Sequence, residues 1–390
     1  MFEDPFKPSP DMLRHEAGLR VRAFEREFQP RLRDPRARAA VLPLLQGAVG
    51  AFFSGRFDLV AKGIDAARRS IDGGTGPEWI WADAWAVLPE RRLLDAAESR
   101  VMVRAIRLYD ADVPAPATAE VRFGRTVRKL DSPLVQVDVP AVDAVRPVEI
   151  HVGGQCRVRR NASVARIRDL DRRLARLDSL PKGKDSAALT ASASLRRLQA
   201  LREGGTPENE FDAELLLGRV ETLARTGTLG FEPGDWWVVL DTPAPMPARV
   251  FVPPGRREPR PVVVALHGAG GTENMFFDAY GAGRIVELCR RRGWLLVAPR
   301  TGLVRPGDVL SALGRVLTVD ARCCLLVGHS MGAAAAIAGI PAAPGVFAAV
   351  AALGGGGRIA DPDAWKGTRL AVSAGESDFA LPSAKALHAS

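Results

Sequence analysis

Gly328-His329-Ser330-Met331-Gly332 is a run whose residue types and spacing suit nucleophilic chemistry. It follows an apolar stretch at 323–327 and opens an alanine-rich one at 332–340, a strand–turn–helix setting. A serine at such a corner presents its hydroxyl at the edge of a sheet, on a strained elbow. Gly328 and Gly332 fit the elbow for a steric reason: side chains there would collide across so tight a turn. The chemistry is acyl transfer. The serine hydroxyl becomes a competent nucleophile only when a base takes its proton, and attack on a carbonyl develops an oxyanion that needs donors already aimed at it.

A second glycine-rich turn supplies such donors. Leu266-His267-Gly268-Ala269-Gly270-Gly271 ends another apolar run, and its backbone N–H groups are not screened by side chains. The N–H of Ala269 or Gly270, with that of Met331 at the head of the helix after Ser330, would form an oxyanion hole; the helix dipole adds to the second donor. His267 and Gly268 belong to this turn and His329 to the elbow, and both histidines are expected to brace their turns.

The elements that must position these turns follow from periodicity. From 231 to 390, short apolar runs at 237–240, 249–252, 261–266, 294–298, 323–327, 347–353 and 370–374 read as strands. Helical stretches at 285–292, 308–316, 332–340, 362–366 and 382–388 lie among them. Buried five-residue strands alternating with helices imply an α/β domain with a mainly parallel sheet covered on both faces.

Three further blocks precede it. Residues 1–98 read as a helical region, with Phe57, Val60, Ile64, Ala67 and Ile71 stepping by three and four, and with Trp79, Trp81 and Trp85 as core rather than as a sugar platform. Residues 99–160 read as a small antiparallel β domain: Val121 and Phe123, Val135 and Val137, and Val148, Ile150 and Val152 each alternate with polar residues. Residues 161–230 read as a helical hairpin or linker, with Val164, Ile167, Leu170, Leu174 and Leu177 on one stripe, and a last helix starting at Thr206 with Pro207 in its first turn.

Composition excludes several other functions. Hydrophobic residues make 47% and charged residues 25% of 390, enough for a packed core. No run of eighteen apolar residues exists, so no membrane span is expected, and with no signal segment at the N-terminus a cytoplasmic location is expected. Net charge is +9, yet the cations are nearly all arginines interleaved with acids, as at 166–178, so no nucleic-acid footprint is expected. Cys156, Cys289, Cys323 and Cys324 have no C-x-x-C spacing, so no disulfide framework and no metal site is expected, and they read as buried free thiols. The chemistry needs no cofactor, and the expected partner is a small ester; nothing fixes an oligomeric state.

Taken together, VVVALHGAGG, WLLVAPR, LLVGHSMGAAAA and LAVSAGESD resemble the α/β-hydrolase family over residues 235–390. The likeness is to small esterases of the feruloyl-esterase and depolymerase kind and to the hydrolase domain of prolyl-oligopeptidase-like peptidases. The resemblance implies a serine hydrolase of carboxylic esters, with Ser330 as nucleophile and Asp378, in Gly375-Glu376-Ser377-Asp378, as the acid; Glu376, Asp361 and Asp363 are competing carboxylates. A serine peptidase and a catalytically inactive, hydrolase-like interaction module are the alternatives. The family sets its catalytic histidine in a loop after one more strand. Here His15 and His151 lie in the upstream blocks, and the one histidine after Asp378 is His388, on an expected helix. The sequence therefore predicts an incomplete hydrolase domain that lacks that last strand and histidine loop, leaves the strand at 370–374 with an open edge, and turns over esters poorly or not at all.

Overall fold

The computed structural model describes residues 6–28, 30–123, 126–131, 133–139, 144–177, 183–205, 212–255, 258–376 and 378–390. The chain divides into two compact units, residues 1–179 with 194–221, and residues 180–193 with 222–390. This differs from a division at 98, 160 and 230.

The first unit opens with helices α1 (Pro10–Phe28), α2 (Pro35–Phe53), α3 (Phe57–Asp72) and α4 (Pro77–Asp83). Asp34 caps α2 by accepting from the Arg36 N–H, and Pro35 follows at the first helical position. Phe24, Phe28, Val41, Val60 and Ile64 form the core between the first three helices. At its side lies a buried polar knot. Arg20, 2% exposed, donates to Asp65 at 2.8 Å and to Glu16 at 2.5 Å, and also to the Asp83 and Trp85 carbonyls. Tyr109 donates to the same Asp65 oxygen at 2.9 Å.

Strands β1 (Trp85–Pro89), β2 (Leu93–Asp95), β3 (Arg100–Arg107), β4 (Ala119–Phe123), β5 (Thr126–Lys129), β6 (Leu134–Asp138), β7 (Ala144–Val152) and β8 (Gln155–Ile167) follow. They form two sheets, β1-β3-β6 and β2-β8-β7-β4-β5. The β region thus begins before residue 99 and ends after residue 160. Trp85–Pro89 is buried at every residue, so it carries no alternation by which to read a strand. Residues 161–167, expected to be helical, continue β8, because Ala165 and Ile167 pair with Leu93 and Asp95 of β2 while Val164 pairs with Ala144 of β7. Two strand partners satisfy the backbone there and override a three-and-four spacing that suits either structure. The Trp81 and Trp85 rings pack 5.3 Å apart against each other, as core.

Helices α5 (Leu170–Leu177), α6 (Ser186–Glu203) and α7 (Ala213–Thr226) come next. The helix start expected at Thr206 lies outside the described residues.

The second unit carries a seven-stranded sheet. Its strands are β9 (Gly234–Leu240), β10 (Met246–Val252), β11 (Arg260–Leu266), β12 (Leu295–Pro299), β13 (Val319–His329), β14 (Ala349–Leu353) and β15 (Arg369–Ser373), in the order β15-β14-β13-β11-β12-β10-β9. The pairings from β12 through β15 are parallel, and β10 runs antiparallel to both its neighbours. Helices α8 (Arg284–Arg292), α9 (Pro306–Gly314), α10 (Met331–Gly339) and α11 (Leu381–His388) complete the unit. Successive residues of β11 point to opposite faces. Val262, Val264 and Leu266 pack with Leu313, Ala336, Ile337 and Leu387 of α9, α10 and α11. Val263 and Ala265 pack with Phe276, Val286 and Cys289 on the other face. Among the described residues, no helix is long and apolar enough to cross a membrane.

Removing Arg20 would strand buried carboxylates, which costs about 3–5 kcal/mol when one partner of a buried pair is lost. Arg20→Met should therefore lower the urea midpoint of the first unit far more than Arg31→Met, whose pair with Asp72 is exposed and contributes about 1 kcal/mol or less. Equal midpoints for the two variants would show that the knot contributes nothing.

Candidate functional site

Ser330 stands between β13 and α10 with φ 53° and ψ −118°, a region a residue with a side chain occupies only under constraint. The constraint is hydrogen-bonded on both sides. The Ser330 N–H donates to the Leu353 carbonyl of β14 at 2.9 Å, and the Ser330 carbonyl accepts from the Ala333 N–H at 2.9 Å. The glycines of the elbow lie against backbone. A methyl group on Gly332 would stand 2.1 Å from the Leu266 carbonyl oxygen, and one on Gly328 would stand 2.2 Å from that of Gly332. Helix α10 can follow β13 so directly only because neither position has a side chain.

The turn after β11 lies against the elbow. A methyl on Gly268 would be 3.1 Å from the Ser330 Cβ and 3.0 Å from His329 Nδ1. His267 is buried, with its ring nitrogens 2.7 Å from the Gly268 oxygen and 2.8 Å from the Arg300 oxygen. It braces the turn between two carbonyls. Ala269 and Gly270 are exposed at the tip, and the Gly271 N–H closes the turn on the Gly268 carbonyl at 3.2 Å. Met331 is the first residue of α10, where backbone N–H groups have no acceptor within the helix.

Asp378 follows β15 at the same edge of the sheet, since β15 runs parallel to β14 and β14 to β13. Its Oδ1 accepts from the Ala380 N–H at 2.9 Å. Its Oδ2 and His329 Nε2 face one spot: a methyl on Gly354 would stand 3.0 Å from the first and 3.4 Å from the second. The structure thus brings Ser330, His329, Gly268 and Asp378 to one place. The competing carboxylates are elsewhere. Asp361 accepts from the Asp363 and Ala364 N–H groups, capping the short turn that leads into the start of β15. Asp363 pairs with Lys366 in solvent, and Glu376 is exposed. His388 is exposed at the end of α11.

Burial pushes the His329 imidazole below the usual histidine pKa; Asp378 opposes this and His267 adds to it. His329 Nδ1 is buried and has no hydrogen-bond partner among the described residues.

Sequence reasoning missed the residues that hold the glycine-rich turn. Tyr280 packs its ring 4.5 Å from that of His329, and its hydroxyl accepts from the Gly268 N–H at 3.3 Å; burial raises its pKa. Glu273, 1% exposed, accepts from Trp237 Nε1 at 2.9 Å and from Arg300 at 3.1 Å, tying the turn to β9 and to the end of β12. A glutamate in a run of small and polar residues gives no sign that it will be buried, and Tyr280 has no periodic partner; both roles arise from chain segments distant in sequence.

No protein-family model and no curated protein matches the chain. Among solved structures it is similar to a fluorophosphonate-binding serine hydrolase of Staphylococcus aureus, at 14% identity and a TM-score of 0.27 over 31% of this chain and 57% of that one. It is similar to a ferulic acid esterase at 16% identity and a TM-score of 0.34, over 40% of this chain and 83% of the other. It is also similar to a poly(3-hydroxybutyrate) depolymerase, LpqC, of Bordetella parapertussis at 20% identity and a TM-score of 0.30, over 39% and 68%. The chain spans about half to three fifths of the length of several such hydrolases, 57% of the first and 51% of an acetyl xylan esterase from Aspergillus awamori.

The close approach at the elbow predicts that Gly332→Ala unfolds or displaces α10, seen as a lower thermal midpoint of the second unit, whereas Gly314→Ala, where a methyl meets nothing within 4 Å, leaves it unchanged. The lowered His329 pKa has a definite sign. Just below the ordinary histidine value the unfolded chain takes up a proton that the folded chain refuses, so stability falls as pH drops through that window. His329→Gln should flatten that part of the stability–pH curve; an unchanged slope would refute the assignment.

Proposed function

We propose that the second unit is a serine hydrolase acting on carboxylic esters through an acyl-enzyme at Ser330. The observation that carries the reading is the backbone of Ser330, strained at φ 53° on a strand-to-helix elbow with the glycine-rich turn at Gly268 packed against its Cβ. In this reading the Ser330 Oγ attacks the ester carbonyl as its proton passes to solvent, which without an oriented base makes the step slow. The N–H groups of Met331 and of Ala269 or Gly270 receive the oxyanion. Collapse of the tetrahedral species expels the alcohol, and water then releases the acid and restores Ser330. Asp378 is the acid of the constellation, at the position from which a carboxylate orients an imidazole base.

A second reading, a hydrolase-like interaction module without turnover, is favoured by one observation. Among the described residues, no side chain hydrogen-bonds the Ser330 hydroxyl, and His329, beside it, makes no hydrogen bond to Asp378. A serine without a base retains only the rate that binding and the oxyanion donors supply.

Fluorophosphonate labelling of the whole chain separates the two. Covalent label that vanishes in Ser330→Ala, with at most slow release of p-nitrophenol from a short-chain ester, is the expected result. Label retained in Ser330→Ala sinks the nucleophile assignment. No label on either protein favours the interaction module. If ester turnover is seen, its loss in His329→Ala but not His388→Ala, or the reverse, identifies the base.

A further inference from the structure

The β7–β8 hairpin brings together three side chains that the spacing of cysteines alone did not connect. The antiparallel register sets His151 directly opposite Cys156, and a bulge falls between Ile150 and His151. Glu149 lies two residues before His151 and so shares its face of the strand. Bulges locally re-aim side chains in this way. A carboxylate oxygen of Glu149, a ring nitrogen of His151 and the Cys156 Sγ all lie within 4.8 Å of one another. Glu149 Oε2 is 2.8 Å from His151 Nε2.

Two further observations point to a ligand. His151 is 7% exposed, and its Nδ1 is buried without a hydrogen-bond partner among the described residues. An imidazole nitrogen buried and unpaired is costly, and a cation bound to it would relieve that cost. Cys156, by contrast, is exposed, which leaves the cluster open to solvent on one side. In the register, two arginines stand opposite Glu149, Arg122 on β4 and Arg159 on β8. Arg157 pairs with Glu78 at 2.5 Å and lies over the Trp79 ring, and Glu120, opposite His151 on β4, pairs with Arg122 at 3.3 Å.

We propose that Glu149, His151 and Cys156 bind a single divalent cation of the zinc class. One thiolate, one imidazole and one carboxylate form the mixed sulfur, nitrogen and oxygen set that borderline cations take, with the fourth tetrahedral position left for water. The charges balance: the cation meets one thiolate and one carboxylate, and the Cys156 thiol gives its proton to solvent as the bond to the metal forms. The site lies wholly within the first unit and does not depend on the hydrolase reading.

The experiment titrates the full-length, reduced, chelator-dialysed chain with Zn²⁺ alone and, separately, with Co²⁺. One equivalent of Zn²⁺ should bind saturably, and Co²⁺ should show a thiolate-to-cobalt charge-transfer band. Cys156→Ser, an exposed substitution whose fold is checked by circular dichroism, should abolish the band. It should also weaken Zn²⁺ by more than the roughly 10–100-fold that loss of an outer-shell partner costs. His151→Gln should weaken Zn²⁺ likewise, and Cys323→Ser should change neither measurement. Absence of saturable binding, or binding unchanged in a folded Cys156→Ser, overturns the proposal.

Discussion

The lack of room for a side chain at Gly328 and Gly332 is the constraint on which the candidate site depends. Gly332 sits so near the Leu266 carbonyl that a single methyl group would overlap it, and Gly328 is as close to the Gly332 carbonyl. This contact clamps the start of α10 between the ends of β11 and β13. With the helix held there, and with the Ser330 N–H committed to β14, the serine has no relaxed conformation to adopt. The strain is a consequence of packing on every side, and packing that tight also explains why the turn at Gly268 can lie directly under the serine.

From that clamp the remaining geometry follows. Strands β13, β14 and β15 run parallel in adjacent positions, so the loops that leave them open on one edge. Ser330, Gly354 and Asp378 come from three successive such loops, which is why a carboxylate 48 positions along the chain faces the same spot as the imidazole beside the serine. The glycine-rich turn reaches this edge from β11 and is fastened by Tyr280, Trp237, Glu273 and Arg300. A buried carboxylate with an indole and a guanidinium as donors is a rigid support, and rigidity is what a set of preorganised oxyanion donors requires.

The first unit is organised on a different principle. Its helices pack through Phe24, Phe28, Val41, Val60 and Ile64, yet one of the largest fully buried side chains is an arginine. Arg20 is tolerated because two carboxylates and two carbonyls satisfy its donors, and a second arginine pair, Arg68 and Arg69, meets the buried Asp83. Such a knot fixes which faces of the helices meet, because any other packing would leave a charge unpaired.

The sequence by itself determined the local pieces. The glycine-bounded serine, the His-Gly turn and the apolar five-residue runs are readable because each is a short-range requirement: a tight turn excludes Cβ atoms, and a strand buried on both faces must be apolar throughout. The placement of Asp378 past a strand end was legible in the same way. Tertiary structure decided the rest. It chose strand over helix for residues 161–167 through pairing with β2 and β7, which a spacing common to both structures could not reveal. It consigned Asp361 to the cap of the short turn before β15 and Asp363 to solvent. It put Tyr280 and Glu273 under the glycine-rich turn and Cys156 beside His151, because contacts between segments and the register of a bulged hairpin depend on how the chain folds back on itself and not on residue type.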